Sequence, residues 1–256
     1  VFLSEAFTKP NMMQELAKVG YTQSYTYFTW RNTKHELTEY LTELTQGPMK
    51  EYFRANFFAN TPDILPEYLQ QGGRPAFLIR AALAALTMPV YGIYSGFELC
   101  ENAPVPGKEE YIDSEKYQFK GRDWNAPGNI KDYLTRLNKI RSENRALREY
   151  ANLRTHTAEN DQILCFSKTT ASLDEALLVA VTVDPRNTQT AFVHVPLAEF
   201  GLTAGEVYHV EDLITGERYA WQGSRNFISL DPHSRPAHVF RIRRSVARVG
   251  GEDIFA

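Results

Sequence analysis

Residues 1–20 read VFLSEAFTKPNMMQELAKVG. The first seven form a short apolar run that carries a carboxylate, Glu5, near its end. From Lys9 to Gly20 the pattern turns helical, with Pro10 in the first turn and Gly20 as the stop. A strand followed by a helix is the repeating unit of a parallel sheet, and the unit recurs. QSYTYFTW (23–30), rich in aromatics and Thr, reads as a second strand. TKHELTEYLTELT (33–45) follows as a helix with Leu37, Tyr40, Leu41 and Leu44 on one face. YFRANFFAN (52–60) and MPVYGIYSG (88–96) read as strands three and four. Their helices are RPAFLIRAALAALT (74–87), with Pro75 in its first turn, and NIKDYLTRLNKIRSENRALREYA (129–151). The last has a buried stripe of Ile130, Leu134, Leu137, Ile140 and Leu147. Between the fourth strand and its helix lies a loop, 97–128, of about 30 residues, and loops that long inside compact domains are often functional.

After residue 151 the texture changes. DQILCFSK, ALLVAVTVD, TAFVHVPL, EVYHVEDLI, ERYAWQG, NFISLD and AHVFRIRR are short strands separated by turn residues. Leu213 to Trp221, with Thr215-Gly216 at the bend, reads as a hairpin. This predicts an antiparallel sandwich over 152–245, preceded by an α/β region over 1–151. The closing 246–256 has no pattern and is expected to be a mobile tail.

Composition excludes several classes. Hydrophobic content of 43% and charged content of 23% describe an ordinary globular chain of 256 residues. A net charge of −3 gives no basic surface for nucleic acid or an anionic membrane. No apolar run reaches the roughly 18 residues of a membrane span. Cys100 and Cys165 have no zinc or disulfide spacing, which fits a reducing, cytoplasmic location.

In a βα barrel, chemistry sits at the C-terminal ends of the strands. Glu5 ends the first strand here, and Asp63 lies just past the third, in FFANTPDIL. Two carboxylates flanking a sugar are the working parts of glycosidic chemistry. Each also has a plainer reading. A Glu at a strand end is usually a solvated charge, and Thr61-Pro62-Asp63 also has the composition of a simple turn.

VFLSEAFTKPNMM, YTYFTWRNTK, FFANTPDILPEYLQQGGRPAF, PVYGIYSGFELCEN and YIDSEKYQFKGRDW occur in that order. Together they closely resemble the α-1,4-glucan:maltose-1-phosphate maltosyltransferases of the α-amylase superfamily, from residue 1 to about residue 243. The resemblance makes SEAF the end of the fifth barrel strand. It implies the C-terminal half of a (β/α)8 TIM barrel, strands five to eight, followed by the β-sandwich. The family's nucleophilic Asp, at the end of the fourth strand, would then lie upstream of Val1. The chain alone would be inactive, prone to aggregate or partly disordered in its first half and folded in its second.

By the same resemblance, Glu5 matches the general acid/base and Asp63 the transition-state stabiliser. Lys116 and Tyr117, in SEKYQ, match residues that contact the donor maltosyl unit. The wider superfamily usually has Asn-His-Asp where this chain has Asn60-Thr61-Pro62-Asp63. The implied reaction is a retaining transfer of maltosyl from α-maltose 1-phosphate to an α-1,4-glucan, without cofactor or metal, in an enzyme that forms a homodimer at full length. An amylase-like hydrolase, a trehalose synthase-like isomerase and a non-catalytic carbohydrate-binding protein are the alternatives. Tyr25, Tyr27, Phe28 and Trp30 are candidates for sugar-stacking walls, with strand core the better role for Tyr25 and Phe28.

Other residues are set aside. His156, His194, His209, His233 and His238 show no zinc-like spacing. Cys100 lies beside Glu98 and Glu101, which disfavours a reactive thiolate. Arg241, Arg243 and Arg244 alternate with apolar residues as on a solvated edge strand. Arg31 has two readings, the rim of the site or a surface salt bridge.

Overall fold

The computed structural model describes residues 1–115 and 119–243. Four strands alternate with four helices: β1 (Leu3–Ser4), α1 (Pro10–Lys18), β2 (Gln23–Tyr25), α2 (Lys34–Thr45), β3 (Ala55–Phe58), α3 (Glu67–Thr87), β4 (Val90–Gly92) and α4 (Lys131–Glu143). The strands pair in the order β1-β2-β3-β4, every pair parallel. All four C-terminal ends therefore lie along one edge.

The strands are shorter than the apolar runs that announce them. QSYTYFTW divides in two: Gln23–Tyr25 is strand, and Tyr27–Trp30 winds into a 3₁₀ turn. The Thr26 hydroxyl accepts from Phe28 N (3.4 Å), offering the backbone a turn in place of a ladder. Thr29 Oγ1 then ties the turn to Phe58 O (3.1 Å). Phe28 is fully buried, stacked on Phe57 with centroids 4.2 Å apart.

α2 begins at a capping box. Thr33 Oγ1 accepts from Glu36 N (3.2 Å), and Glu36 returns the contact to Thr33 N (3.0 Å). Its expected stripe, Leu37, Tyr40, Leu41 and Leu44, is buried. α3 extends further upstream than the 74–87 reading. It starts at Glu67, breaks at Gly73 (φ 57°, ψ −158°), and restarts with Pro75 in the first turn of the second segment. In place of a continuous helix to 151, α4 ends at Glu143 and a 3₁₀ turn follows at Arg145–Arg148.

Eight antiparallel strands complete the fold: β5 (Leu153–His156), β6 (Ile163–Thr169), β7 (Ala176–Thr182), β8 (Gln189–His194), β9 (Val207–Asp212), β10 (Arg218–Gln222), β11 (Arg225–Leu230) and β12 (Ala237–Arg243). Six form a sheet in the order β10-β9-β12-β7-β6-β5, and β11-β8 form a second sheet. The expected hairpin is β9–β10, with Gly216 at φ 81° in its turn. β5, an edge strand of polar sequence, carries no signal in the sequence pattern.

The six-stranded sheet is a middle layer. All seven residues of β7 are buried. Leu177, Val179 and Val181 join Leu164, Phe166 and Val239 in a core with Leu37, Phe77 and Leu137 of the helices. Leu178 and Ala180 face the other way, into a core with Val193, Ile228 and Leu230 of the small sheet. A strand covered on both faces reads as a continuous apolar run, which is what ALLVAVT is.

The solvated-edge reading of the arginines fails. β12 lies between β9 and β7. Arg241 and Arg243 project from its last residues toward Glu211 (3.5 and 3.9 Å), and Arg241 also donates to Asn144 Oδ1 (3.0 Å). Arg244 and the 246–256 tail lie outside the described residues. No helix among the described residues is long and apolar enough to cross a membrane.

Candidate active site at the C-terminal edge of the parallel sheet

Glu5 is the first residue beyond β1 and is exposed. Two residues on, the Phe7 ring packs against Tyr25 (5.7 Å) and edge-on against Trp30 (5.6 Å). Tyr25 ends β2 and packs on Phe58, which ends β3, at 4.5 Å. Phe58 in turn lies on the backbone of β4. A Cβ at Gly92 would stand 2.4 Å from that ring, so only glycine lets the aromatic row lie flat there. Phe7, Tyr25 and Phe58 thus form a continuous apolar floor along the edge. Burial, and secondarily the Glu5 carboxylate, push the Tyr25 phenol above its ordinary pKa. Glu5 and Tyr25 are therefore electrostatic neighbours across the β1–β2 pair. Tyr25 sits at the edge itself and is half-buried, while Phe28 alone of the pair is core.

Asp63 occupies the turn after β3 and is exposed. The turn is closed by reciprocal bonds, Thr61 N to Ile64 O (3.1 Å) and Ile64 N to Thr61 O (3.2 Å). Glu5 and Asp63 stand at one edge of the sheet, on either side of β2. Two strand spacings, about 10 Å, separate the strands that carry them.

Lys116 and Tyr117 lie outside the described residues. The chain on either side of them is anchored by one guanidinium. Arg122, 4% exposed in its side chain, donates Nη1 to Glu115 Oε2 (2.9 Å) and Nε to Glu101 Oε1 (3.0 Å). Lys120 Nζ reaches the other oxygen of Glu101 at 2.9 Å. Tyr94 OH donates to Ser114 O (2.7 Å) and lies 3.1 Å from Glu115 Oε2. Burial works against the Arg122 charge, but the bonds to Glu115 and Glu101 prevail and hold its pKa above the ordinary value. Gly96 (φ 97°) admits this network, since a Cβ there would lie 2.4 Å from Glu101 Oε2.

Three further residues organise the edge, and the sequence pattern assigns none of them a role. Asn60, fully buried, donates Nδ2 to Tyr111 OH (2.7 Å) and accepts Tyr94 N (2.9 Å). Glu109 accepts Trp30 Nε1 (2.8 Å) and Glu67 N (3.2 Å). Arg80, 1% exposed, donates to Phe28 O (2.6 Å), Arg31 O (2.7 Å) and Asn32 Oδ1 (3.3 Å), fixing the loop beyond β2. Burial lowers its pKa to about 10. Arg31 itself lies over the Tyr40 ring at 5.7 Å.

Of the residues set aside, Cys100 has its thiol pushed up to about 11 by burial, with Arg74 opposing. Burial, and not its acidic neighbours, is what disfavours the thiolate. His238 bonds Asp212 (2.9 Å), His194 bonds Glu159 (2.8 Å) and His156 bonds Ser167 (2.7 Å). Among the described residues no group of three His, Cys, Asp or Glu is placed to hold a metal ion.

Residues 155–242 match the family model described as GLGE, C-terminal. An α-1,4-glucan:maltose-1-phosphate maltosyltransferase of Rhodospirillum rubrum is 56% identical over 242 residues, covering 94% of this chain and 35% of the relative. The chain is a relative of these maltosyltransferases. The Pseudomonas aeruginosa maltosyltransferase is 53% identical, covering 95% of this chain and 37% of that protein. Maltosyltransferase 1 of Streptomyces coelicolor is 52% identical, with 98% and 38% covered. The chain thus spans little more than a third of the length of these relatives. Among solved structures, an α-amylase from Geobacillus thermoleovorans complexed with acarbose superposes with a TM-score of 0.68 at 14% identity, over 95% of this chain and 53% of that one. A gamma-CGTase from alkalophilic Bacillus clarkii gives 0.67 at 18%, over 96% and 36%. The fold is shared with part of each of these two solved structures.

Proposed function

We propose that this chain carries the acid/base and sugar-binding half of a retaining maltosyltransferase. In this reading residues 1–151 are strands five to eight of a (β/α)8 barrel with their helices, and 152–245 are its β-sandwich. The full-length protein works in the cytoplasm as a homodimer and moves maltosyl from α-maltose 1-phosphate to the non-reducing end of an α-1,4-glucan. The observation that carries the reading is the placement of Glu5 and Asp63 on one edge, either side of β2, above an aromatic floor. The maltosyltransferase relatives add the donor and acceptor.

The chemistry is a double displacement. A carboxylate from the fourth barrel strand attacks the anomeric carbon as its bond to the phosphate oxygen breaks. Glu5 gives its proton to the departing phosphate. In the second step Glu5 takes the proton of the acceptor hydroxyl, whose oxygen displaces the enzyme carboxylate from the same carbon. The Asp63 carboxylate opposes the positive charge that develops on the ring in both steps. Lys116 and Tyr117 supply donor affinity from the long loop. No cofactor enters the scheme.

The test uses the protein expressed from its complete reading frame, with α-maltose 1-phosphate and glycogen, and measures free phosphate. Glu5→Gln should lose on the order of 10²–10⁴ in turnover while still binding donor. Near-normal turnover would make Glu5 a surface charge. Reducing-end release from glycogen without donor phosphate would point instead to an amylase-like hydrolase.

A further inference from the structure

We propose that Asn60 and Tyr111 are positioning residues for Asp63, a buried amide–phenol post from which the catalytic turn is hung; the inference rests on the role assigned to Asp63 above.

The chain leaves the sheet just before the turn. Ala59 N still donates to Gly92 O (3.1 Å), the last bond between the third and fourth strands. From Asn60 on, no sheet partner fixes the path. The Asn60 side chain takes over at that point. It is 0% exposed, and both ends of its amide are used, Nδ2 on Tyr111 OH (2.7 Å) and Oδ1 on Tyr94 N (2.9 Å). Each partner is itself fixed. Tyr111 is 4% exposed, with its ring 5.5 Å from that of Tyr94. The Tyr94 hydroxyl is bonded to Ser114 O. On the far side of the turn, Leu65 N donates to Glu109 O (2.6 Å). Asp63 therefore stands at the tip of a closed turn clamped on entry by a side chain and on exit by a backbone bond.

The residue type follows from this. Position 60 must donate and accept at once in a buried site. Only an amide of this length does both without charge. Ala would orphan two buried partners, and Asp would bury a carboxylate beneath a turn that already presents one. A displacement of about 1 Å at a catalytic group costs on the order of 10²-fold in rate, so loosening the post should register in turnover well before it unfolds the region.

The experiment uses Tyr111→Phe, which removes one oxygen and keeps the ring, in the protein from the complete reading frame. Tyr68→Phe serves as a control, since its hydroxyl donates to Val183 O (2.9 Å) away from the turn. Tyr111→Phe should lower kcat/KM for phosphate release roughly 10- to 100-fold when Asp63 is present. It should lower it less than about threefold in an Asp63→Asn background, because a residue acting through Asp63 loses its effect once Asp63 is gone. Tyr68→Phe should show no such coupling. Equal losses in both backgrounds, or none in either, would overturn the proposal. If the unsubstituted protein releases no phosphate at all, the functional reading fails but the post remains testable. Amide exchange at Thr61 and Ile64 should then quicken in Tyr111→Phe and not in Tyr68→Phe, and unchanged exchange would overturn it.

Discussion

The parallel and antiparallel regions of this molecule are built to different standards. β1 to β4 are two to four residues long, and β1 and β4 each pair on one side only. β5 to β12 run four to seven residues. In the parallel region Met12, Val19 and Trp124 are among the exposed large apolar side chains. The antiparallel region leaves few large apolar side chains in solvent, Leu173, Val207 and Phe227 among them. Every candidate catalytic residue belongs to the region with the short strands. That division makes physical sense, because short strands release chain into loops, and loops on a rigid base are where chemistry is placed. The base is partly borrowed: α2 packs against β5 and β6, and α3 against β7.

The comparison can be broken most decisively at Val179, on the helix-facing side of β7. Val179→Asp puts a charge between the regions and should cost on the order of 4–5 kcal/mol or more. Circular dichroism and amide exchange should show loss of both regions together. Retained protection in α3 would mean that the parallel region stands on its own.

A subtler probe is Lys168 of β6, which is 0% exposed and crosses between the regions to cap α3 at Thr87 O (3.1 Å) and to meet Glu149 O (2.7 Å). Arg141 of α4 caps the same helix end at Met88 O (2.9 Å) and Pro89 O (2.6 Å). Burial first, and Arg141 second, lower the Lys168 pKa from 10.5 to about 7. Below pH 7 the amine is charged folded and unfolded alike, so its burial penalty is fully present and independent of pH. Between about 7 and 10.5 only the unfolded chain holds the proton. Stability should therefore rise with pH in that window, by up to about 1.4 kcal/mol per unit. Thermal melts across pH 6–10 should show this slope in the unsubstituted chain and its loss in Lys168→Met. Parallel profiles would refute the assignment.

The smallest expected effect is at the start of α2. Thr33→Ala removes the cap at Glu36 N and should cost about 1 kcal/mol. If the regions unfold as one, chemical denaturation followed in the β-sheet signal should shift by that amount. A shift seen only in helical signal would separate them.

The alternation of strands and helices, the α2 stripe and the β9–β10 hairpin are legible in sequence because each depends on local periodicity and turn residues. Strand length is not, because it is set by partners. Thr26 and the Arg80 guanidinium, brought from α3, decide that Tyr27–Trp30 curls. The centre position of β12 depends on pairing with β7 and β9, which no property of AHVFRIRR encodes. At the site, Glu5 and Asp63 were visible through motif and strand end. Asn60 stands in the NTPD motif without a legible role, and Glu109 and Arg122 carry no signal, because their partners lie 21 or more residues away in the chain, apart from the Arg122–Glu115 pair.

β7 also sets a timetable. α3, which packs against β7, ends at Thr87, yet β7 is complete only at Thr182. At about 5–20 residues per second, roughly 5 to 20 seconds of synthesis separate the end of α3 from the strand that covers it. Through that interval the part of α3 that β7 covers waits without that cover. A nascent chain paused between residues 90 and 175 is where chaperone occupancy should peak.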